Sequence, residues 1–285
     1  MTSQRTRFFN LLRSVLKLLH LEGFLALFTK GKGYDNFFVR CLPQNHQYKK
    51  GTFRIVRRNG IRYILDLSEY MEWVIYFSLG VEERSSLFDL VKKDMVILDV
   101  GTNVGETLLN FARLTGTNGM VYGFEPVNEN YEKCRRNISL NAFMNISVSQ
   151  KALSDKTETL YFAPSVNNNS GGIFMNKENG SNEHSASAIT LDDFISEKKI
   201  NRVDLIKIDV EGFEYHVLKG AIQTVSRFRP LLFIEIDEYN LRRQGAGAGM
   251  ILEVLREHGY QFNKAGGEAV LENDGHYDLV CTYKS

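Results

Sequence analysis

Six carboxylates and one glycine turn carry the chemistry that this chain could perform. An apolar run, Val96-Ile97-Leu98, ends in Asp99 and passes into a turn holding Gly101, Asn103 and Gly105. A helix-like stretch follows, and a second apolar run closes on Phe124-Glu125-Pro126. This is the pattern of a βαβ unit that holds a nucleoside-containing ligand at the carboxyl edge of a parallel sheet. Glycines let the backbone approach such a ligand closely, and a carboxylate after the second strand can accept both ribose hydroxyls. Further along, Asp209, Glu211, Glu235 and Asp237 stand at or just beyond the ends of two more apolar runs.

The spacing argues against a nicotinamide dinucleotide. That ligand calls for G-x-G-x-x-G, with the pyrophosphate at a helix N-terminus. Here the first glycine position is Asp99, and the pattern reads D-x-G-x-x-x-G. A negative charge repels pyrophosphate but suits a cationic ligand. S-adenosylmethionine has an ammonium, a sulfonium and a ribose diol, and it has no phosphate.

The elements that must position these residues follow from periodicity. Strands are predicted at 95–100, 120–124, 145–151, 203–209, 231–236, 260–264 and 278–283, and helices at 105–114, 127–141, 190–197, 212–226 and 247–258. Alternation of this kind predicts an α/β fold with a doubly wound, mostly parallel sheet and helices on both faces. Residues 1–85 read as an N-terminal cap with a basic amphipathic helix, a β-hairpin turning at Asn59-Gly60, and helices near 69–79 and 82–92. Residues 86–285 read as the ligand-binding domain. Segment 164–188 is rich in Asn, Ser and Gly; its Ile173-Phe174-Met175 either anchors a lid or belongs to a plain insertion.

Bulk composition narrows the function classes. The chain has 285 residues, 43% of them hydrophobic, and a net charge of +1, so no global field draws it to nucleic acid. Cys41, Cys134 and Cys281 show no metal-site spacing and form no even disulfide framework, which points to a reducing, cytoplasmic setting. Sequons at Asn137, Asn145, Asn168 and Asn179 read as chance matches, since no export signal is recognised. Charge is nevertheless uneven: residues 1–50 carry nine Lys or Arg against Glu22 and Asp35. Phe8, Leu11, Leu12, Val15, Leu18 and Leu19 recur at helical spacing, with Arg13 and Lys17 largely opposite. Packing of this stripe on the catalytic domain or a second subunit is the favoured expectation. Peripheral contact of residues 1–20 with a membrane is the alternative. Arg13 and Lys17 break the run, so no transmembrane helix is expected.

The chain resembles the FkbM family of S-adenosylmethionine-dependent methyltransferases. The resemblance rests on LDVGTNVGET at 98–107, FEP at 124–126, KALSD at 151–155, TLDDF at 190–194, DLIKIDVEGFEYHVLKGA at 204–221, RPLLFIEID at 229–237 and HGY at 258–260. It implies a class I methyltransferase, Rossmann-like sheet of seven strands, and O-methylation of a hydroxyl on a carbohydrate, glycolipid or related metabolite. By motif position, Asp99, Gly101, Asn103 and Gly105 line the methionine end of the cofactor. Glu125 takes the ribose, and Ala152 and Leu153 flank the adenine. Thr102 stands where family members commonly have Ala.

The acceptor side is expected at the ends of the later strands, with Asp209, Glu211, Glu235 and Asp237 as catalytic candidates. A carboxylate of raised pKa serves as general base, or carboxylates such as Asp209 with Glu235 or Asp237 hold Mg²⁺; the metal-free reading is favoured. Lys207 is expected to pair with Glu235. Glu211 and Glu214 read equally as helix-cap residues. His216 reads as a packed or solvent-facing histidine, and His184 and His276 as surface residues. The rival functions are a catalytically silent methyltransferase fold used as a binding module, and an NAD-dependent oxidoreductase or epimerase. The expected partner is a small-molecule or glycan acceptor, with a mild preference for a homodimer.

Overall fold

The computed structural model describes residues 4–18, 21–79, 81–162, 175–176, 185–271 and 275–284. Ile173 and Phe174 of the proposed lid, His184, and the sequons at Asn168 and Asn179 lie outside these residues. The chain divides into two compact units, the first within Met1–Ser85 and the second within Ser86–Ser165 and Gly171–Ser285.

The first unit contains helices α1 (Gln4–Leu18), α2 (Glu22–Thr29) and α3 (Phe37–Arg40), the hairpin β1 (Phe53–Arg58) and β2 (Ile61–Asp66), and α4 (Tyr70–Phe77). Asn59 and Gly60 both take positive φ, 49° and 84°, which twists the two-residue turn to match its strands. Helix α1 is held by its polar face. Its cations engage the body of the unit: Arg13 Nη2 donates to the Arg40 carbonyl at 2.8 Å, and Lys17 donates to the Gln47 carbonyl. Leu11, Val15 and Leu18 of the apolar stripe stay exposed. Carbonyls left free at the end of α3 and in the following turn attract the cations more strongly than the amphipathic pattern alone suggests.

Helix α5 (Val81–Asp89) follows, and then the alternating core. Its elements are β3 (Val96–Val100), α6 (Glu106–Thr115), β4 (Met120–Phe124), α7 (Asn128–Ser139), β5 (Ile146–Ser149), β6 (Ala152–Leu153), β7 (Glu158–Phe162), β8 (Met175–Asn176), β9 (Ser185–Ile189), α8 (Leu191–Glu197), β10 (Leu205–Ile208), α9 (Glu214–Lys219), α10 (Ile222–Phe228), β11 (Leu231–Asp237), α11 (Glu238–Arg243), α12 (Ala248–Glu257), β12 (Tyr260–Lys264) and β13 (His276–Tyr283). Seven strands form one sheet in the order β12-β13-β11-β10-β3-β4-β5. Strands β5, β4, β3, β10 and β11 pair in parallel, while β13 runs antiparallel to both of its neighbours. The order reverses between β3 and β10, and a parallel sheet opens its ligand crevice at such a switch point.

Period-two alternation divides the sheet. Leu98, Val100, Ile206, Ile208, Leu232, Ile234 and Ile236 face one core cluster. Ile97, Leu205 and Phe233 belong to another. Continuing along the second face, the next positions are Asp99, Lys207 and Glu235. One face therefore turns from apolar to charged as it nears the carboxyl edge.

Three local features depart from the sequence reading. Ala152 and Leu153 form a buried two-residue strand in a four-stranded sheet, β6-β9-β7-β8. The helix expected over 212–226 divides into α9 and α10 at Gly220, where a Cβ would lie 2.0 Å from the Ser154 carbonyl oxygen. The TLDDF segment serves as a double cap: Thr190 Oγ1 accepts from Asp193 N at 3.0 Å, and the Asp192 carboxylate accepts from Gln223 N and Thr224 N at 3.0 and 2.7 Å.

Gly105 has φ +90°, and a Cβ there would lie 2.8 Å from Cys134 Sγ. Gly105→Ala is expected to cost about 2–3 kcal/mol in urea unfolding. The increment should be smaller in a Cys134→Ala background, where only the left-handed backbone cost of roughly 1–2 kcal/mol remains. Equal increments in both backgrounds would show that the thiol contact is not the cause.

Candidate active site

The loops leaving β3 and β10 meet at the switch point. Gly101 has φ +84°, and a Cβ there would lie 1.9 Å from the Asp209 carbonyl oxygen, so only glycine lets the two loops pack. Gly101 N and Thr102 N both donate to the Phe124 carbonyl, at 3.0 and 3.1 Å. Thr102 is buried with its hydroxyl 4.0 Å from Cys134 Sγ, and the turn accommodates it. Asn103 also takes positive φ, +49°. Its Oδ1 is buried and makes no hydrogen bond among the described residues. An unsatisfied acceptor in such a turn calls for a donor from a ligand or water.

Glu125 is buried at the end of β4. Its carboxylate accepts from Asn103 N at 2.9 Å and from Val127 N at 3.0 Å. Burial pushes this carboxyl up to about 7 against the pull of those two amides. The Asn130 side chain also hydrogen-bonds to this carboxylate, so part of its acceptor capacity is already used.

Asp99 is 0% exposed, so it does not line the cavity by its own side chain. It accepts from Thr107 Oγ1 at 2.6 Å and faces Lys207 Nζ at 3.5 Å. Lys207 is its register partner on β10 and lies 3.1 Å from Asp209 Oδ2 and 2.9 Å from the Gly101 carbonyl. The expected pairing of Lys207 with Glu235 is thereby corrected: the ammonium sits between Asp99 and Asp209. Burial alone would lower the lysine pKa, but Asp209 and then Asp99 more than reverse this and raise it. Burial pushes the Asp99 carboxyl up, with Lys207 and Thr107 opposing.

Asp209, Glu211, Glu235 and Asp237 come together at this edge. Asp209 keeps 40% of its side chain exposed. Glu235 hydrogen-bonds to Asp209 and has its pKa raised, first by the Asp209 charge and then by burial. Glu211 stands at φ +55° and is pushed up to about 8 by burial, with Asp209, Glu214 and Asp237 adding to the shift. Glu211 Oε2 accepts from Asn240 Nδ2 at 3.1 Å. Asp237 caps α11 by accepting from Asn240 N at 3.1 Å.

Glu214 braces the loop. Its Oε1 accepts from Val210 N and Gly212 N, both at 3.0 Å, and burial pushes it up to about 7. His216 stacks on Phe213 at 4.4 Å and is packed. Ala152 and Leu153 are core side chains, so only their backbone can face a ligand.

Sequence reasoning missed the surroundings of this cluster. Register places His276 opposite Asp237 and Asp278 opposite Glu235. His276 Nδ1 lies 3.7 Å from Asp237 Oδ2. Thr107 and Asn240 were likewise unforeseen. Thr107 stands eight residues after Asp99, a spacing that returns a helix to the strand end it left. Among the described residues no group of three or more His, Cys, Asp or Glu side chains is placed to hold one metal ion, and no helix is long and apolar enough to cross a membrane.

The model of the methyltransferase FkbM domain matches residues 99–262. The chain is 28% identical over 205 residues to the 2-O-methyltransferase NoeI of Sinorhizobium fredii, a match covering 66% of this chain and 83% of NoeI. It is 27% identical over 143 residues to the hexuronic acid methyltransferase AglP of Haloferax volcanii, covering 49% of this chain and 56% of AglP. A crystal structure of a methyltransferase FkbM from Methylobacillus flagellatus is similar at 20% identity and a TM-score of 0.45, covering 67% of this chain and 44% of that one.

Two substitutions probe the buried charges. Lys207→Met leaves Asp99 and Asp209 without their cation and is expected to cost about 3–5 kcal/mol in urea unfolding at pH 7. Glu211 binds its proton more tightly when folded, so its contribution to stability is full below about pH 4.5 and is lost as pH rises through about 8. Urea midpoints of the wild type should therefore fall across that window, and those of Glu211→Gln should fall less. An unchanged slope would refute the shift.

Proposed function

The chain belongs to the FkbM methyltransferase family, and from that premise we propose an S-adenosylmethionine-dependent O-methyltransferase acting on a carbohydrate hydroxyl. The observation that carries this reading is the meeting, at one sheet edge, of an acceptor-rich glycine turn and the carboxylate Asp209, held 3.1 Å from Lys207 Nζ with Glu235 beside it. The relatives' names support it, one specifying O-methylation and the other a hexuronic acid.

The residues of the turn fit the cofactor. Asn103 Oδ1 offers a buried, unsatisfied acceptor to an ammonium, and Glu125 offers acceptor sites to a ribose diol. Gly101 and Gly105 place no side chain at the two ends of the turn. Asp99 acts through Lys207, fixing the ammonium that in turn orients Asp209. When bound, the cofactor supplies an electrophilic methyl group.

This chain's own part is to orient the hydroxyl and receive its proton. Asp209, exposed at the edge, accepts the proton, and the neighbouring Glu235 carboxyl is pushed toward its protonated form by the Asp209 charge and burial. Alignment of the oxygen with the methyl and exclusion of water contribute the remainder. Acid–base chemistry without a metal is the favoured route, and Mg²⁺ held by Asp209 with Glu235 or Asp237 is the competing one.

Titration calorimetry with S-adenosylhomocysteine, with NAD⁺ in parallel, tests the cofactor. Micromolar binding of the former alone is expected, and Glu125→Ala should weaken it by about 1.5–3 kcal/mol per lost charge-assisted bond. Unchanged affinity would sink the ribose assignment. Methyl transfer to sugar hydroxyls should survive EDTA. Asp209→Asn and Glu235→Gln should each lower kcat by about 10²–10⁴ with cofactor affinity kept. Loss of cofactor binding in either variant would move that residue to the cofactor half.

A further inference from the structure

The first unit presents its apolar side chains outward and its cations partly inward. On α1, Leu11, Val15 and Leu18 share one face at i, i+4 and i+7, and all are exposed. On α2, Phe24, Leu27 and Phe28 are exposed, and on α3 so are Phe37 and Phe38. Ring contacts link the apolar side chains of α2 and α3 and reach Phe9 of α1: Phe9 to Phe37 at 6.1 Å, Phe37 to Phe38 at 5.8 Å, Phe38 to Phe28 at 5.5 Å and Phe28 to Phe24 at 5.0 Å. These eight side chains expose from 42% to 78% of their surface. Large apolar side chains exposed in this number mark an interaction surface.

We propose that this face of α1, α2 and α3 docks on an anionic lipid bilayer. Charge selects the occupant. Lys30 and Lys32 flank the patch in the Lys30-Gly31-Lys32-Gly33 segment, are exposed, and form no ion pair among the described residues. The two acids of residues 1–50 are neutralised, Glu22 by Arg54 at 2.8 Å and Asp35 by Arg40 at 2.8 Å. A second copy of the same face would oppose these lysines with like charge, whereas anionic headgroups complement them. Tyr34 and Tyr70, both partly exposed, join hydroxyls at 2.9 Å beside the phenylalanines, placing polar-tipped rings where an interface suits them. The helices lie on the surface rather than cross it.

The test is co-sedimentation of the full chain with vesicles of phosphatidylcholine alone or with phosphatidylserine added, at low and high salt. Binding to the anionic vesicles, weakened by salt, is expected. Lys30→Glu/Lys32→Glu and Phe24→Ser/Leu27→Ser should each reduce it at least tenfold. Both variants alter exposed positions, so unchanged melting temperature and S-adenosylhomocysteine binding would separate loss of docking from loss of fold. That second readout also keeps the result independent of the proposed chemistry. Absence of binding to anionic vesicles, or equal binding by the variants, overturns the proposal. So does a concentration-dependent dimer in the ultracentrifuge that Phe24→Ser/Leu27→Ser dissolves, since that assigns the face to a second copy.

Discussion

Lys207 sits at the centre of the sheet between two carboxylates, and the site depends on that arrangement. The central strand β10 is buried on both faces, so a charged side chain in it must be compensated where it stands. Asp99 compensates it from β3, its neighbour on one side, and Asp209 does so from the end of its own strand. The ammonium also takes the Gly101 carbonyl and so ties together the two loops that form the crevice. A hydrophobic residue at 207 would fill the space, but it would leave nothing to hold Asp209 at the edge or to offset the acids beyond it.

Those acids explain much of the remaining architecture. Glu211 at positive φ, Gly212 against the Asn240 carbonyl and Glu214 beneath the loop form one brace, which holds the chain in a shape that an unsupported loop would leave. Asn240 links the brace to α11, whose N-terminus Asp237 caps. Carboxyls crowded in this way have unequal proton affinities, and inequality lets neighbouring groups of one type take different roles.

The β3–α6–β4 unit was legible because alternation, two glycines and a terminal carboxylate fall within about thirty residues. The seven strands and their helices were legible by the same period argument, with boundaries shifted by a few residues. Contacts set by register were not. Lys207 was expected to meet Glu235, and it meets Asp99 because a parallel pairing aligns those two Cα positions, which no local pattern reveals. Two-residue strands such as β6 are too short to show a period. Gly220 divides a helix because of the Ser154 carbonyl, a contact 66 positions distant in the chain. The stripe on α1 was visible, but the direction it faces depends on carbonyls at Arg40 and Gln47 that only the folded chain brings near.

The contact between position 105 and Cys134 carries a consequence for how such a chain can change over generations. A larger residue at 134 would press further into the glycine turn, and any side chain at 105 would press on the sulfur, so the two positions drift together or remain fixed. Cys134 is buried on α7 behind the turn, and burial pushes its thiol up to about 12, far from a reactive thiolate. Its persistence in descendants would reflect the shape of the turn it backs, and an inventory of invariant cysteines would mistake a spacer for a reactive thiol.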